Sequence, residues 1–242
     1  MSCRILIADA EALVRLGMKA VFQSVKDVVV CGEATNGIDA IRKAHQLNPD
    51  IIVADPWLPG ANGVILTRRT LEQHPKQKVL IFGDLVPEVM VSQLFRAGAK
   101  GLLLKTDPAV DLIDAIQALR QDRLYFTPSV EEAILGQYLR SDAPPVECTP
   151  TTNHLTLREQ EVAQLLAEGK ASKEVGDILG ISFRTAATHR SNLMRKLSVH
   201  NSAELTLYAA AHQLIQVPRL SVLADVIEFA TPVLERSATA AA

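Results

Sequence analysis

Aromatic side chains are scarce in this chain of 242 residues, at 4 %, so aliphatic side chains must do most of the packing. Cysteine is scarce as well. Cys3, Cys31 and Cys148 stand far apart, which excludes a disulfide framework and a zinc site and fits reduced thiols in a cytosolic protein. No uncharged apolar run is long enough to span a bilayer, and the apolar run between Arg4 and Asp9 is too short for a signal sequence. A soluble, cytoplasmic protein with no membrane partner is expected. Excess charge of one sign is missing too. With 25 basic and 27 acidic residues the net charge is −2, so a globally basic coat is excluded and any DNA contact must come from a concentrated local surface. Metalloprotease helices, nucleophile elbows and phosphate-cradling glycine loops are absent, and no enzyme is expected.

What is present divides in two. The length exceeds the usual single domain, and 48 % hydrophobic residues suffice for two cores. In the first half, short aliphatic runs (5–8, 28–31, 51–54, 79–82 and 102–104) alternate with amphipathic stretches of helical length (13–24, 37–47, 64–72, 88–97 and 110–120). Five strand–helix repeats predict an α/β domain with a doubly wound, parallel, five-stranded sheet over residues 1–121. In such sheets function sits at the carboxyl ends of the strands. A linker helix over 124–140 and a Pro- and Thr-rich segment up to 154 form a connection across 122–154. From 155 to 217 the pattern is wholly helical, and 218–242 forms an extension with a short helical period over 221–230.

Asp9 ends the first strand, Asp55 the third and Lys105 the fifth. If those strands are neighbours, two carboxylates and an ammonium meet at one edge, a set suited to a divalent cation and a phosphoryl group. The segments 4–15, 55–63 (Asp-Pro-Trp-Leu-Pro-Gly-Ala-Asn-Gly) and 97–105 (Ala-Gly-Ala-Lys-Gly-Leu-Leu-Leu-Lys) resemble the opening, acceptor loop and fifth strand of response-regulator receiver domains. The resemblance implies a flavodoxin-like fold, Asp55 as phospho-acceptor and Lys105 as its ion-pair partner. It further implies Mg2+ at Asp9, Asp55 and Trp57, and a sensor histidine kinase as phosphoryl source.

Several residues depart from that pattern. The second acid after the first strand is Ala10, with Glu11 beside it. The Ser or Thr that ends the fourth strand is Gly83, followed by Asp84, and the aromatic of the fifth strand is Leu102. Pro56 removes one backbone N–H beside the acceptor. Glu11 and Asp84 stand as possible replacement ligands in the pocket, and weak or absent phosphorylation is expected.

In the second half, Thr156 caps a first helix, a second covers about 172–179, and Gly180-Ile181-Ser182 turns into a third. A helix, a short turn with Gly and a further helix have the shape of a DNA-reading motif. On the third helix Ala186, Arg190, Leu193 and Leu197 share one face. Arg184, Thr188, Ser191 and Arg195 share the opposite one, flanked by Ala187 and Asn192, and no acid lies between Phe183 and Leu197. That outer face suits phosphate and base-edge contacts.

Residues 155–162, 169–175 and 184–197 resemble LuxR-type DNA-binding domains, and with the first half the chain looks like the NarL/FixJ class of response regulators. The resemblance implies groove-facing Arg184, Ala187, Thr188 and Ser191, phosphate contacts from Lys173 and Thr185, double-stranded DNA as ligand and a homodimer. Leu205, Tyr208, Ala209 and His212 on the fourth helix are candidates for a dimer face or for core packing. Ala187 replaces the family's usual Lys and can meet a thymine methyl but cannot hydrogen-bond guanine. The rival readings are a conventional phosphorylation-dependent regulator, a phosphotransfer enzyme built on Asp55, and an interaction module that contacts RNA polymerase. The enzyme reading lacks a second Asp two positions on, where Trp57 stands.

Overall fold

The structure is a computed structural model and describes residues 2–84, 86–128, 130 and 155–216. It divides into two compact units, with the break between residues 151 and 152, and each is described by itself. Residues 131–140 of the helix expected over 124–140, Cys148, the linker up to 154 and the extension from 218 lie outside the described residues.

In the first unit the aliphatic runs form β1 (Cys3–Ala8), β2 (Val28–Ala34), β3 (Ile51–Ala54), β4 (Lys78–Gly83) and β5 (Gly101–Leu104). They pair in parallel, with the order β2-β1-β3-β4-β5. Between and after them lie α1 (Ala12–Gln23), α2 (Gly37–Leu47), α3 (Gly63–Gln73), α4 (Glu88–Ala97) and α5 (Ala109–Arg120). The central strands are continuous apolar runs because both of their faces are covered. Ile5, Ile7, Val53, Leu80 and Leu103 pack with Met18 and Phe22 of α1 and Leu112 and Ile116 of α5. On the other face Leu6, Ile52, Ile81 and Leu102 meet Ala40 and Ala44 of α2, Leu66 of α3, and Met90 and Leu94 of α4. Each large aliphatic side chain buried this way is worth about 1.5–3 kcal/mol. Asn36 and Asn62 start α2 and α3 by accepting the N–H of Asp39 and Ile65, which satisfies backbone donors the helices leave open.

Two details differ from the sequence-based expectation. A sixth strand, β6 (Tyr125–Phe126), pairs in parallel with β5, where a helix starting at 124 was expected. Phe126 packs edge-on against Phe95 of α4, with ring centroids 4.9 Å apart, and this tertiary contact outweighs the local helical pattern. The other difference is strand adjacency. β1 and β3 are neighbours, but β4 lies between β3 and β5, so Lys105 reaches the acids across the end of β4.

The second unit contains α6 (Leu157–Ala167), α7 (Ser172–Leu179), α8 (Phe183–Lys196) and α9 (Ser202–Ala211). Thr156 accepts the N–H of Glu159, whose carboxylate accepts the Thr156 N–H in return, a reciprocal cap worth about 1 kcal/mol. Gly180 turns the chain between α7 and α8 at φ 66°, a left-handed conformation that favours glycine. Gly176 lets α7 lie against that turn, since a Cβ there would stand 2.9 Å from the Ile181 carbonyl oxygen. Val162, Leu166, Val175, Ala186, Leu193, Leu205 and Ala209 form one core. Leu205 and Ala209 are therefore spent on packing. Tyr208 and His212 make a tilted ring contact with centroids 4.1 Å apart, both half-buried.

Candidate functional site

The carboxyl edge of the sheet gathers the three groups the sequence marks. The Asp55 N–H continues the β1–β3 ladder by donating to the Ala8 carbonyl, and the Lys105 N–H donates to the Gly83 carbonyl, both at 2.8 Å. These bonds fix where the side chains start. The Lys105 Nζ then stands 2.7 Å from Asp55 Oδ2 and 3.0 Å from Asp9 Oδ2. The second oxygen of each acid is also engaged. Asp9 Oδ1 accepts the Glu11 N–H at 2.7 Å, and Asp55 Oδ1 accepts the Trp57 N–H at 2.6 Å. All four carboxylate oxygens thus have a partner from the chain. The Asp9–Lys105 contact is the looser of the two, close enough for an ion pair but not aligned as a hydrogen bond.

Burial sets the electrostatics. Asp9 is 1 % exposed, and the Asp55 and Lys105 side chains are 13 % and 9 % exposed. Burial pushes the Asp55 carboxyl above the usual aspartate range, the nearby Asp9 charge adds to this, and Lys105 and the Trp57 N–H offset only part of it. Lys105 is opposed by its own burial, yet its contact with Asp55 and then the Asp9 charge keep it charged well above the ordinary lysine range. The two partners are not mirror images. One ammonium draws on two acids, while each acid has only a share of one ammonium.

The departures from the receiver pattern have structural correlates. Gly83 is buried at the end of β4, and a Cβ on it would stand 2.5 Å from both Cγ and Cδ of Pro56. The proline ring fills the room that a serine or threonine side chain would need. Leu102 is fully buried among the α2–α4 side of the core. Glu11 and Asp84 are exposed, and of Glu11 it is the backbone N–H that meets Asp9. Ala10 offers no oxygen from its side chain. Arg15, which the sequence pattern does not single out, donates to the Asp9 and Ala10 carbonyls at 2.9 and 3.1 Å and pairs with Glu33 at 3.4 Å. It ties down the loop that carries Asp9.

Mg2+ needs near-octahedral oxygen ligation. Asp9, Asp55 and the Trp57 backbone can supply part of that set, provided Lys105 releases the two Oδ2 atoms. Among the described residues no three acidic, histidine or cysteine side chains gather as a metal-holding group. The fit is partial.

In the second unit, Ser182 accepts the Thr185 N–H and starts α8. Arg184, Thr185, Thr188, Ser191, Asn192 and Arg195 are exposed along it, Ala187 is half-buried, and Ala186 and Leu193 face the core. Lys173 is exposed near the start of α7. Arg190, expected on the inner side, is half-buried with a long contact to the Ser202 hydroxyl. Arg195 donates to the Asn192 side chain at 3.1 Å. Phe183, the first residue of α8, stands out in no sequence pattern, yet its large apolar side chain is 61 % exposed.

A receiver-like pocket and a helix-turn-helix in one chain define a class, and the comparisons agree with it. Residues 5–117 match the response regulator receiver domain, and residues 153–209 match the bacterial regulatory proteins of the luxR family. The transcriptional regulatory protein LiaR of Bacillus subtilis is 32 % identical over 212 residues, covering 88 % of this chain and 99 % of LiaR. The oxygen regulatory protein NreC of Staphylococcus carnosus is 30 % identical over 214 residues, with the same coverage. Among solved structures, a LuxR-family two-component response regulator from Aurantimonas superposes with a TM-score of 0.55 at 27 % identity, over 57 % of this chain and 99 % of its own. RcsB of Salmonella enterica bound to a promoter superposes with a TM-score of 0.56 over 87 % of this chain and 99 % of its own. At 22 % identity it shares the fold. The chain belongs to the response regulators that join a receiver domain to a LuxR-type helix-turn-helix. It is a two-component response regulator with a LuxR-type DNA-binding domain.

Proposed function

We propose that this response regulator acts in the cytoplasm as a homodimer on double-stranded DNA, and that its DNA affinity owes little to phosphorylation of Asp55. The observation that carries this reading is the state of the pocket. Lys105 holds one oxygen of both Asp9 and Asp55, while Pro56 fills the space beside Gly83. Phosphoryl transfer to a carboxylate depends on positioning and on neutralising charge around the phosphoryl oxygens. Ala10 withholds a metal ligand, so Asp9, Asp55 and Trp57 hold Mg2+ weakly. When bound, that ion would supply charge neutralisation at Asp55. A sensor histidine kinase therefore transfers to Asp55 poorly. Without a hydroxyl at position 83, a modified Asp55 also has little to bias one conformation over another, because a ligand shifts populations only through differential contacts.

DNA binding rests on α8. Its exposed residues include two guanidiniums and several hydroxyls, and its sequence carries no acid. Arg184, Ala187, Thr188 and Ser191 meet base edges in the major groove, flanked by Asn192 and Arg195, while Lys173 and Thr185 meet phosphates. One such surface is small, so two copies on adjacent half-sites supply the affinity.

Salt-dependent binding of the full-length protein to duplex DNA tests this reading. Log affinity is expected to fall linearly with log salt, footprints should show two half-sites, and Arg184→Ala should weaken binding by about 1–3 kcal/mol. Unchanged binding by both Arg184→Ala and Ser191→Ala overturns the orientation of α8. Salt-independent retention through a protein partner would instead favour an interaction module.

A further inference from the structure

Phe183 is the anomaly of the second unit: a large apolar side chain, 61 % exposed, at the first position of α8. Burial does not account for it, since α8 meets its core through Ala186 and Leu193. Four residues on, and therefore on the same side of the helix, stands the half-buried Ala187. Arg184 and Ser191, both exposed, flank this apolar pair on the helical wheel, and Thr188 is exposed one residue beyond Ala187. Such a setting suits a polyanion that carries apolar groups at fixed places. Duplex DNA has that chemistry in its major groove, where phosphates line the rim and the thymine 5-methyl is the apolar feature of a base edge.

We infer that Phe183 and Ala187 together read thymine methyl groups, so that the half-site recognised by α8 contains thymines where the start of the helix enters the groove. This deepens, and rests on, the proposed binding of DNA by α8. The two residues are about 6 Å apart along the helix at about 1.5 Å per residue. Base pairs rise about 3.4 Å, so the two methyls belong to positions within about two steps of each other. An aromatic face and an Ala methyl offer no hydrogen bond to a guanine or cytosine edge, and the preference is for A·T over G·C at these positions.

The test uses the full-length protein and a pool of random duplexes. Duplexes retained by the protein are sequenced, and the preferred one is remade with deoxyuridine for thymidine at one position at a time, which removes only the methyl. Loss of one buried methyl is expected to weaken binding about three- to fivefold at one or two clustered positions. Phe183→Ala should bind the thymidine duplex more weakly and lose its sensitivity to deoxyuridine at the position Phe183 reads. Phe183→Leu should retain part of that sensitivity. Because Phe183 is exposed, the thermal midpoint of each variant should stay at the wild-type value. Equal binding of thymidine and deoxyuridine duplexes at every position overturns the inference while leaving DNA binding by α8 intact. So does a Phe183→Ala protein with the wild-type pattern of sensitivity. If no duplex is retained at low salt, both readings fall.

Discussion

Gly83 and Pro56 exclude a side chain between them: a Cβ at position 83 would lie 2.5 Å from two carbons of the proline ring. Two departures from the receiver pattern, read separately in the sequence, are one packing arrangement. Gly83→Thr alone is expected to destabilise the receiver by about 1–3 kcal/mol through overpacking. With Pro56→Ala in the same chain, part of that loss should return, leaving a coupling of about 0.5–3 kcal/mol. Urea midpoints of the two single variants and the double variant measure it. Strictly additive effects would show that the two residues do not share the space.

Lys105 compensates two buried carboxylates, so its removal should cost far more than the loss of one surface ion pair. Lys105→Met is expected to destabilise the receiver by about 3–5 kcal/mol at neutral pH, because it leaves buried charge uncompensated. The pH dependence has a definite sign. Burial already raises the Asp55 carboxyl above its ordinary value of 3.8, and without Lys105 the two like charges raise it further. A carboxyl raised in the folded state favours the native protein when protonated, and that advantage is lost as pH climbs through the folded value. The Lys105→Met midpoint should therefore rise as pH is lowered from about 7 to about 5, more steeply than the wild-type midpoint. A variant as stable as wild type and flat across that range would contradict the shared-ammonium arrangement.

Much of this was readable beforehand because the relevant physics is local. Aliphatic runs such as 51–54 have no polar face, which marks a strand covered on both sides, and the cap at Thr156 and the turn at Gly180 follow from single residues. The pocket was legible in its members, Asp9, Asp55 and Lys105, since strand ends are local features. Its closure was not. Strand order does not follow from periodicity, and of the first, third and fifth strands, which the sequence leaves free to be neighbours, only β1 and β3 are adjacent. The contact between Pro56 and Gly83 joins a turn to the end of β4, two places far apart in sequence. The two-residue strand Tyr125–Phe126 is too short to carry a period. Phe183 lay at the edge of the helical wheel, where exposure depends on which neighbours cover the end of the helix.

DNA affinity, measured with and without a phosphodonor, tests the central claim most directly. Full-length protein is incubated with Mg2+ and acetyl phosphate, its intact mass is recorded, and its affinity for a retained duplex is compared with that of untreated protein. The expected result is a mass dominated by unmodified chain and an affinity changed by less than about twofold, or roughly 0.4 kcal/mol. Near-complete phosphorylation at Asp55 with an affinity gain of about tenfold or more, roughly 1.4 kcal/mol, would contradict it and return this protein to conventional phosphorylation control.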